Sequence, residues 1–498
     1  MKRARIAPTL RPDRGAAAAI ALSLLLLPAG AAAAPTARLD DPEPFPAGVS
    51  GEEVAFHADS GPVANPGPAL QQVYEIALGR GDATWVRVFF GPDTVVQPGG
   101  AIRITSLFDG AVQNLDAEAL RQWRYSSAYF NGPMVIVELL AGPRTGGNRL
   151  TVERLFLGGD EPAAESICGT ADDRVLSSDP RAGRMLSGGC TGWLVNECFL
   201  SAGHCMTGNT IVQFNVPLSS STGSLNHPPP SDQYSIDTAS RQFVNGGVGN
   251  DWGYFGVFPN TQTGLTALQA QGSRYILASN VNPPAGQTIR ITGYGTDSSP
   301  ATSNQVQQTH AGPYRELSGT IVRYEVDTTG GNSGSAVFDE SQGRAIGIHT
   351  HAGCDSAPPP YNQGTSLTLA SLQTALRNPA GRCANQAACN GNGVCESGED
   401  CFNCVQDCIH QSPGSFCGND VCETAAGENC TNCPPDCNSR TKGKPAGQYC
   451  CGTTATCDDP RCTGNGNTCS ATSGGYCCGD ALCEGAETTA NCGVDCGP

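Results

Sequence analysis

The sequence predicts an all-β protein: a β-sandwich-like first domain, a two-barrel second domain, and a tail of disulfide-rich repeats. Three observations carry this. Residues 35–165 contain no cysteine and alternate stretches such as TWVRVFF, AIRITSLFD and MVIVELLAG with Gly and Pro turns, the pattern of strands with one buried face. Residues 166–382 keep the short strands, show few long helical periods and hold five cysteines, and a domain of this size and pattern suits two β-barrels. From Cys383 onward the composition shifts to Cys, Gly, Asn, Asp and Glu with almost no apolar run, so disulfides must replace a core. At 498 residues the chain also exceeds what a single core spans.

The first 34 residues run from a basic start, MKRARIAPTLRPDRG, into AAAAIALSLLLLPAGAAAA. This is the layout of a secretory signal peptide cut near Ala34. The alternative, a membrane anchor, would need about 20 apolar residues, which the stretch barely supplies; no later segment is apolar enough to span a bilayer. The 26 cysteines fit an exported, extracellular chain, because disulfides persist where cellular thiols do not reduce them. A net charge of -17 argues against nucleic acid as a partner, since phosphate recognition needs clustered Lys and Arg.

Within residues 35–165, LDAEALRQW has helical spacing. The domain itself reads as a propeptide, a folding chaperone or a retained binding module. GGDEPAAES, at 158–166, has the composition of a linker. Another helical stretch, SLTLASLQTALRN, closes the second domain before NPAGR breaks it. The region 383–498 contains an internal repeat: CNGNGVCESGEDCFNCVQDC from Cys389, CGNDVCETAAGENCTNCPPDC from Cys417 and CGDALCEGAETTANCGVDC from Cys478, the last with Thr489 in place of a cysteine. Oxidation in an exported chain disfavours zinc at its C-x-x-C pairs. Asn392, Glu396, Glu399 and Asp407 offer oxygen ligands suited to structural calcium, but their spacing fits no recognisable loop; the simpler reading is a stapled module that binds a surface or substrate, or spaces the preceding domains.

Chemistry concentrates in two segments. In CTGWLVNECFLSAGHC, 190–205, a hydrophobic strand turns back and sets His204 at a strand end. A Cys190–Cys205 disulfide would pin that loop and fix the imidazole as a general base. In DTTGGNSGSAVFD, 327–339, the glycines allow a turn tight enough for the amides of Gly331 and Ser333 to converge on one oxygen, an oxyanion hole with Ser333 as nucleophile. A GNSG string alone fits an ordinary turn; following AGHC in the same chain, it reads as a nucleophile loop.

Together these segments resemble the chymotrypsin-like serine proteases, and among them the bacterial glutamyl endopeptidases, which share TTGGNSGS followed by a close variant of RAIGIH, here ending at His349. The resemblance covers roughly 168–382. It implies two six-stranded barrels with the site between them, protein or peptide substrates, and no metal or organic cofactor. It also implies an Asp between the two segments to orient the histidine. Asp251, in NDWGYFGV, heads an apolar strand and is the candidate; Asp237, in YSIDTAS, is the rival. The triad is then His204, Asp251 and Ser333.

The same resemblance would place Thr328 and His349 in a pocket for a Glu side chain, where binding the anion would raise the His349 pKa. His351, two residues on, would face the same way. Asp327, six residues before Ser333, lies where trypsin carries the acid that selects Arg or Lys, so a basic preference stands as the alternative; Thr329, in place of a pocket-framing cysteine, favours Glu. Asn332 replaces the Asp that pairs with a new amino terminus in trypsin-like zymogens, so activation by cutting near residue 166 would act by another contact or by removing an inhibitory domain. With Cys190 and Cys205 paired, Cys168, Cys198 and Cys354 are odd in number and Cys383 completes the set. Two other classes compete with the endopeptidase. One is a binding or adhesion protein with an inactive protease fold. The other is a lipase, disfavoured because the histidine precedes the serine and a strand, not a helix, follows it.

Overall fold

A computed structural model describes residues 51–159, 165–186, 188–278, 280–354 and 360–384, with the pairs 468–469 and 477–478. The expected signal peptide and nearly all of the cysteine-rich repeats, including the candidate calcium ligands, lie outside the described residues. The described residues are mostly β-strand, with a few short helices. No helix among the described residues is long and apolar enough to cross a membrane.

The first domain folds into two four-stranded antiparallel sheets. One orders the strands Gly51–Asp59, Thr151–Gly158, Trp85–Phe90 and Phe130–Asn131; the other orders Gln71–Gly79, Met134–Ala141, Ala101–Ser106 and Val112–Leu115. Alternation does what it should in Ala101–Ser106, where every second residue is buried. Both sheets contribute to one core around Trp85, Phe156, Ile104 and Val137. LDAEALRQW yields only the helix Ala117–Gln122, because Leu115 is still in its strand and the Asp116 carboxylate caps the helix by accepting the Ala119 amide at 2.8 Å.

The second domain contains two closed barrels. The first is ordered Ala182–Leu186, Cys190–Val195, Cys198–Ser201, Asp251–Val257, Gln233–Asn245 and Ile211–Gln213. The other runs Gln308–Ser318, Thr288–Gly293, Ala336–Asp339, Arg344–His351, Asn362–Ser366 and Ile321–Tyr324, and closes because Ile321–Tyr324 also pairs with Gln308–Ser318. Closure removes the open strand edges that would otherwise template aggregation. Helix Ala370–Arg377 starts later than its sequence pattern, since Ser366 is still in its strand. Residues 165 and 166, read as linker, are instead a short strand antiparallel to Thr328–Thr329.

Disulfides join Cys168 to Cys354, Cys190 to Cys205 and Cys198 to Cys383. The last two fasten the first barrel internally and to the helical segment Gly381–Ala384 after the second barrel; the first ties the entrance of the domain to the end of strand Arg344–His351.

Candidate active site

His204 sits in the single turn Gly203–Met206 that follows strand Cys198–Ser201. Gly203 is required there: a Cβ would collide with the carbonyls of Val244 and Trp252. Asp251, wholly buried at the head of its strand, binds this turn twice. Its Oδ1 accepts the His204 amide at 2.9 Å and its Oδ2 accepts from His204 Nδ1 at 2.6 Å. The carboxylate therefore fixes both where the ring is and which nitrogen carries the proton, leaving Nε2 free to accept one. A third of the imidazole side chain is exposed. Asp237, the rival acid, is spent elsewhere, accepting the amides of Ala239 at 3.0 Å and Arg382 at 2.8 Å.

The Ser333 loop hangs from the strand beside Cys190. The Thr191 amide donates to the Ser333 carbonyl at 2.9 Å, and the Thr191 hydroxyl donates to the Gly331 carbonyl at 2.9 Å. Thr191 thus links the Ser333 loop to Cys190, whose disulfide partner Cys205 directly follows His204. The loop closes on itself through Asn332, whose Oδ1 accepts the Thr329 amide at 2.9 Å. Gly331 and Gly334 have φ of 102° and 93°, and added side chains would strike the Tyr294 carbonyl at the first and Ser201 and Thr191 at the second. Among the described residues, neither the Gly331 nor the Ser333 amide is spent on an intramolecular hydrogen bond. Ser333 is partly exposed. Two free donors beside a reachable hydroxyl are the equipment for stabilising an oxyanion.

His349 is buried, and burial, then the nearby His351 and His204, push its pKa down to about 3. Its Nδ1 lies 2.6 Å from the hydroxyl of Tyr324. Burial holds Tyr324 well above its usual pKa, so its hydroxyl keeps its proton and pairs with Nδ1 of a neutral His349 ring. Thr328 is buried and its hydroxyl accepts from Asn362 Nδ2 at 3.0 Å. A register shift between His349 and His351 breaks the simple alternation, and the half-buried His351 ring stands edge-on to His204 at 6.2 Å. Burial lowers the His351 pKa, partly opposed by Asp251.

Asp327 is turned toward the start of the domain. Its Oδ1 accepts the Cys168 amide at 2.7 Å, its Oδ2 accepts the Asp173 amide at 2.9 Å, and its own amide donates to His310 Nδ1 at 2.8 Å. Asp173, His310 and Asp327 lie close enough to share an ion, as do Cys190, His204 and Cys205. In the first group those amides already occupy both Asp327 oxygens and His310 Nδ1; in the second the two thiols are consumed by a disulfide. Sequence reasoning missed Thr191, Tyr324 and Asn362. No motif marks them: they act on the site from neighbouring strands, and only pairing register brings them there.

A family model for the trypsin-like peptidase domain matches residues 190–348. Glutamyl endopeptidase of Bacillus licheniformis is 28% identical over 191 residues, 36% of this chain and 56% of that protein. Glutamyl endopeptidase of Staphylococcus aureus strain MW2 is 38% identical over 73 residues, 15% of this chain and 21% of the relative. The chain thus spans about half the length, or less, of these relatives. Among solved structures, a Glu endopeptidase in complex with MPD aligns at TM-score 0.33 and 21% identity, covering 42% of this chain and 96% of its own. A thermostable serine protease, AL20, from an extremophilic microorganism aligns at 0.29 and 17%, covering 38% and 91%. The match to the family model and the two closed six-stranded barrels make residues 190–348 similar to the trypsin-like peptidase domain.

Proposed function

We propose that the protein is an exported serine endopeptidase in which Ser333 attacks the peptide carbonyl, His204 takes the Ser333 proton and later returns it to the leaving amine, and Asp251 holds the imidazole. The observation that carries this reading is the double grip of Asp251 on His204, at 2.9 and 2.6 Å. A carboxylate that accepts from both the amide and Nδ1 of one histidine selects the tautomer a general base needs and stabilises the imidazolium formed in the transition state. The amides of Gly331 and Ser333 would receive the oxyanion, water would release the acyl-enzyme, and disulfides in the domain suit an oxidising compartment.

The preferred side chain before the scissile bond is Glu. His349, its ring held by the Tyr324 hydroxyl at Nδ1, and Thr328, through its hydroxyl, would meet a carboxylate. The acid that would favour Arg or Lys, Asp327, has both oxygens occupied by backbone amides. The named relatives are glutamyl endopeptidases, in line with this reading. Digesting a mixed peptide library with the processed protein, with Ser333→Ala as control, tests it: cuts after Glu that vanish in the control are expected. Cuts after Arg or Lys would return specificity to Asp327, and cuts by the Ser333→Ala protein would end the triad assignment.

A further inference from the structure

The first domain does not close its core alone. Leu186 and Ile211, paired opposite each other in the first barrel, are fully buried in the cluster formed by Trp85, Tyr129 and Phe156. All six residues of strand Trp85–Phe90 are buried, although one face of a strand in a free-standing sandwich is normally wet. Arg87, on that strand, is 1% exposed; its guanidinium donates to the Ser127 carbonyl at 2.9 Å and reaches across to the Thr210 hydroxyl at 3.5 Å. On the barrel side, the buried His227 ring stacks on Tyr129 at 4.6 Å and meets Trp85 edge-on at 5.3 Å.

Three carboxamides then cross the seam, each gripping both the N–H and the C=O of one residue. Gln233 accepts from the Tyr129 amide at 3.0 Å and donates to its carbonyl at 2.8 Å. Asn131 does the same to His227, at 2.8 and 2.9 Å, from the other side. Gln262 does it to Asn114, at 2.9 and 3.1 Å. These groups imitate strand pairing where no strand continues. Separation would wet Trp85, Tyr129, Leu186 and Ile211 together and break every clasp at once, the character of permanent interfaces rather than of surfaces that also live exposed.

The seam also adjoins the His204 turn. Thr210 and Ile211, at the seam, are joined to that turn through Asn209, whose side chain donates to the Cys205 carbonyl at 2.7 Å and accepts the Gly188 amide at 2.5 Å. The segment from His204 to Ile211 is thereby held by the Cys190–Cys205 disulfide at one end and by the first domain at the other.

We propose that residues 51–159 are a permanent subunit of the peptidase: they stay seated on the first barrel after the chain is cut between 160 and 164, and the barrel depends on them for its native form. The seam, and not the covalent link, joins the two domains. The test uses the full chain carrying Ser333→Ala, with the recognition sequence of a site-specific protease inserted between Pro162 and Ala163. After cutting, both pieces should co-elute on size exclusion at the volume of the uncut protein and remain together on dilution to micromolar concentration. Separate elution, with the larger piece keeping its circular dichroism and melting temperature, would overturn the proposal. A second protein adds Tyr129→Ala and Asn131→Ala; uncut, it should still melt cooperatively, and once cut its pieces should separate. Pieces that still co-elute would show that these contacts are not what holds the seam. Neither readout uses peptidase activity, so failure of the catalytic reading leaves this result standing, and the reverse.

Discussion

Two buried histidines, one in the cleft and one in the seam, meet tyrosines in opposite ways. At the candidate site Tyr324 turns its hydroxyl to His349 Nδ1 at 2.6 Å, which fixes the orientation of the ring. At the seam Tyr129 presents its face to His227 at 4.6 Å, and His227 Nδ1 meets the Gln213 carboxamide and the Arg184 guanidinium instead. Donors are spent differently as well: the cleft keeps the Gly331 and Ser333 amides in reserve, while the seam commits Gln233, Asn131 and Gln262 to backbone clasps. The amides beside Ser333 stay unused at a reachable place, whereas the seam commits its carboxamides and leaves only buried atoms such as Trp85 Nε1 and His227 Nε2 without a partner.

The largest effect that sharpens this contrast is catalytic. Asp251→Asn removes the negative charge behind His204 and allows the wrong tautomer, so kcat is expected to fall about 10⁴-fold, with melting shifted far less. Single-turnover acylation of an ester substrate checks it; a loss below tenfold would show that Asp251 does not orient the base. Next comes Tyr324→Phe, which leaves the buried His349 Nδ1 without its hydrogen-bond partner. Such a loss costs about 1–3 kcal/mol, so KM for Glu peptides should rise about tenfold or more while kcat changes little. An equal loss on substrates lacking Glu would mean that Tyr324 only supports the fold.

Much of the catalytic site is legible in the sequence alone. His204 and Ser333 stand in AGHC and GNSG because a turn beside packed carbonyls excludes side chains at Gly203, Gly331 and Gly334, and such local steric demands leave marks in the sequence. Thr191, Tyr324 and Asn362 leave none, since each acts from a neighbouring strand and a strand residue's partner depends on register. The orientation of Asp327 is equally hidden: its position relative to Ser333 suggests the pocket, and only the amides of Cys168 and Asp173 show where its charge is used. The seam is unreadable for the same reason. TWVRVFF alternates like a strand with one wet face, yet both its faces are covered.

Acid should strain cleft and seam together. His349 is held down to about 3 by burial and by its neighbours His351 and His204; His227 is held well below its ordinary value by burial and by the Arg184 and Arg87 guanidiniums. Each is neutral when folded and takes up a proton when unfolded once the pH drops below about 6.5, so the unfolded state binds more protons. Stability is therefore full above that pH and falls as pH decreases toward 3, with a slope of up to about 1.4 kcal/mol per unit for each histidine. Denaturant titrations of Ser333→Ala protein from pH 7 to 4 should show the decline. His227→Gln and His349→Gln should each flatten it, and a slope unchanged by both would place the acid sensitivity elsewhere.

The smallest effect separates the seam from the domain behind it. Asp116 caps helix Ala117–Gln122, and the Gln122 carbonyl at its end accepts the Ser235 hydroxyl of the first barrel at 2.7 Å. Asp116→Ala should cost about 1 kcal/mol of stability through the lost cap while cut pieces still co-elute, because the three carboxamide clasps do not pass through this helix. If that substitution alone released the pieces, the helix end and not the clasps would be holding the domains together, and the seam would be a single contact instead of a continuous one.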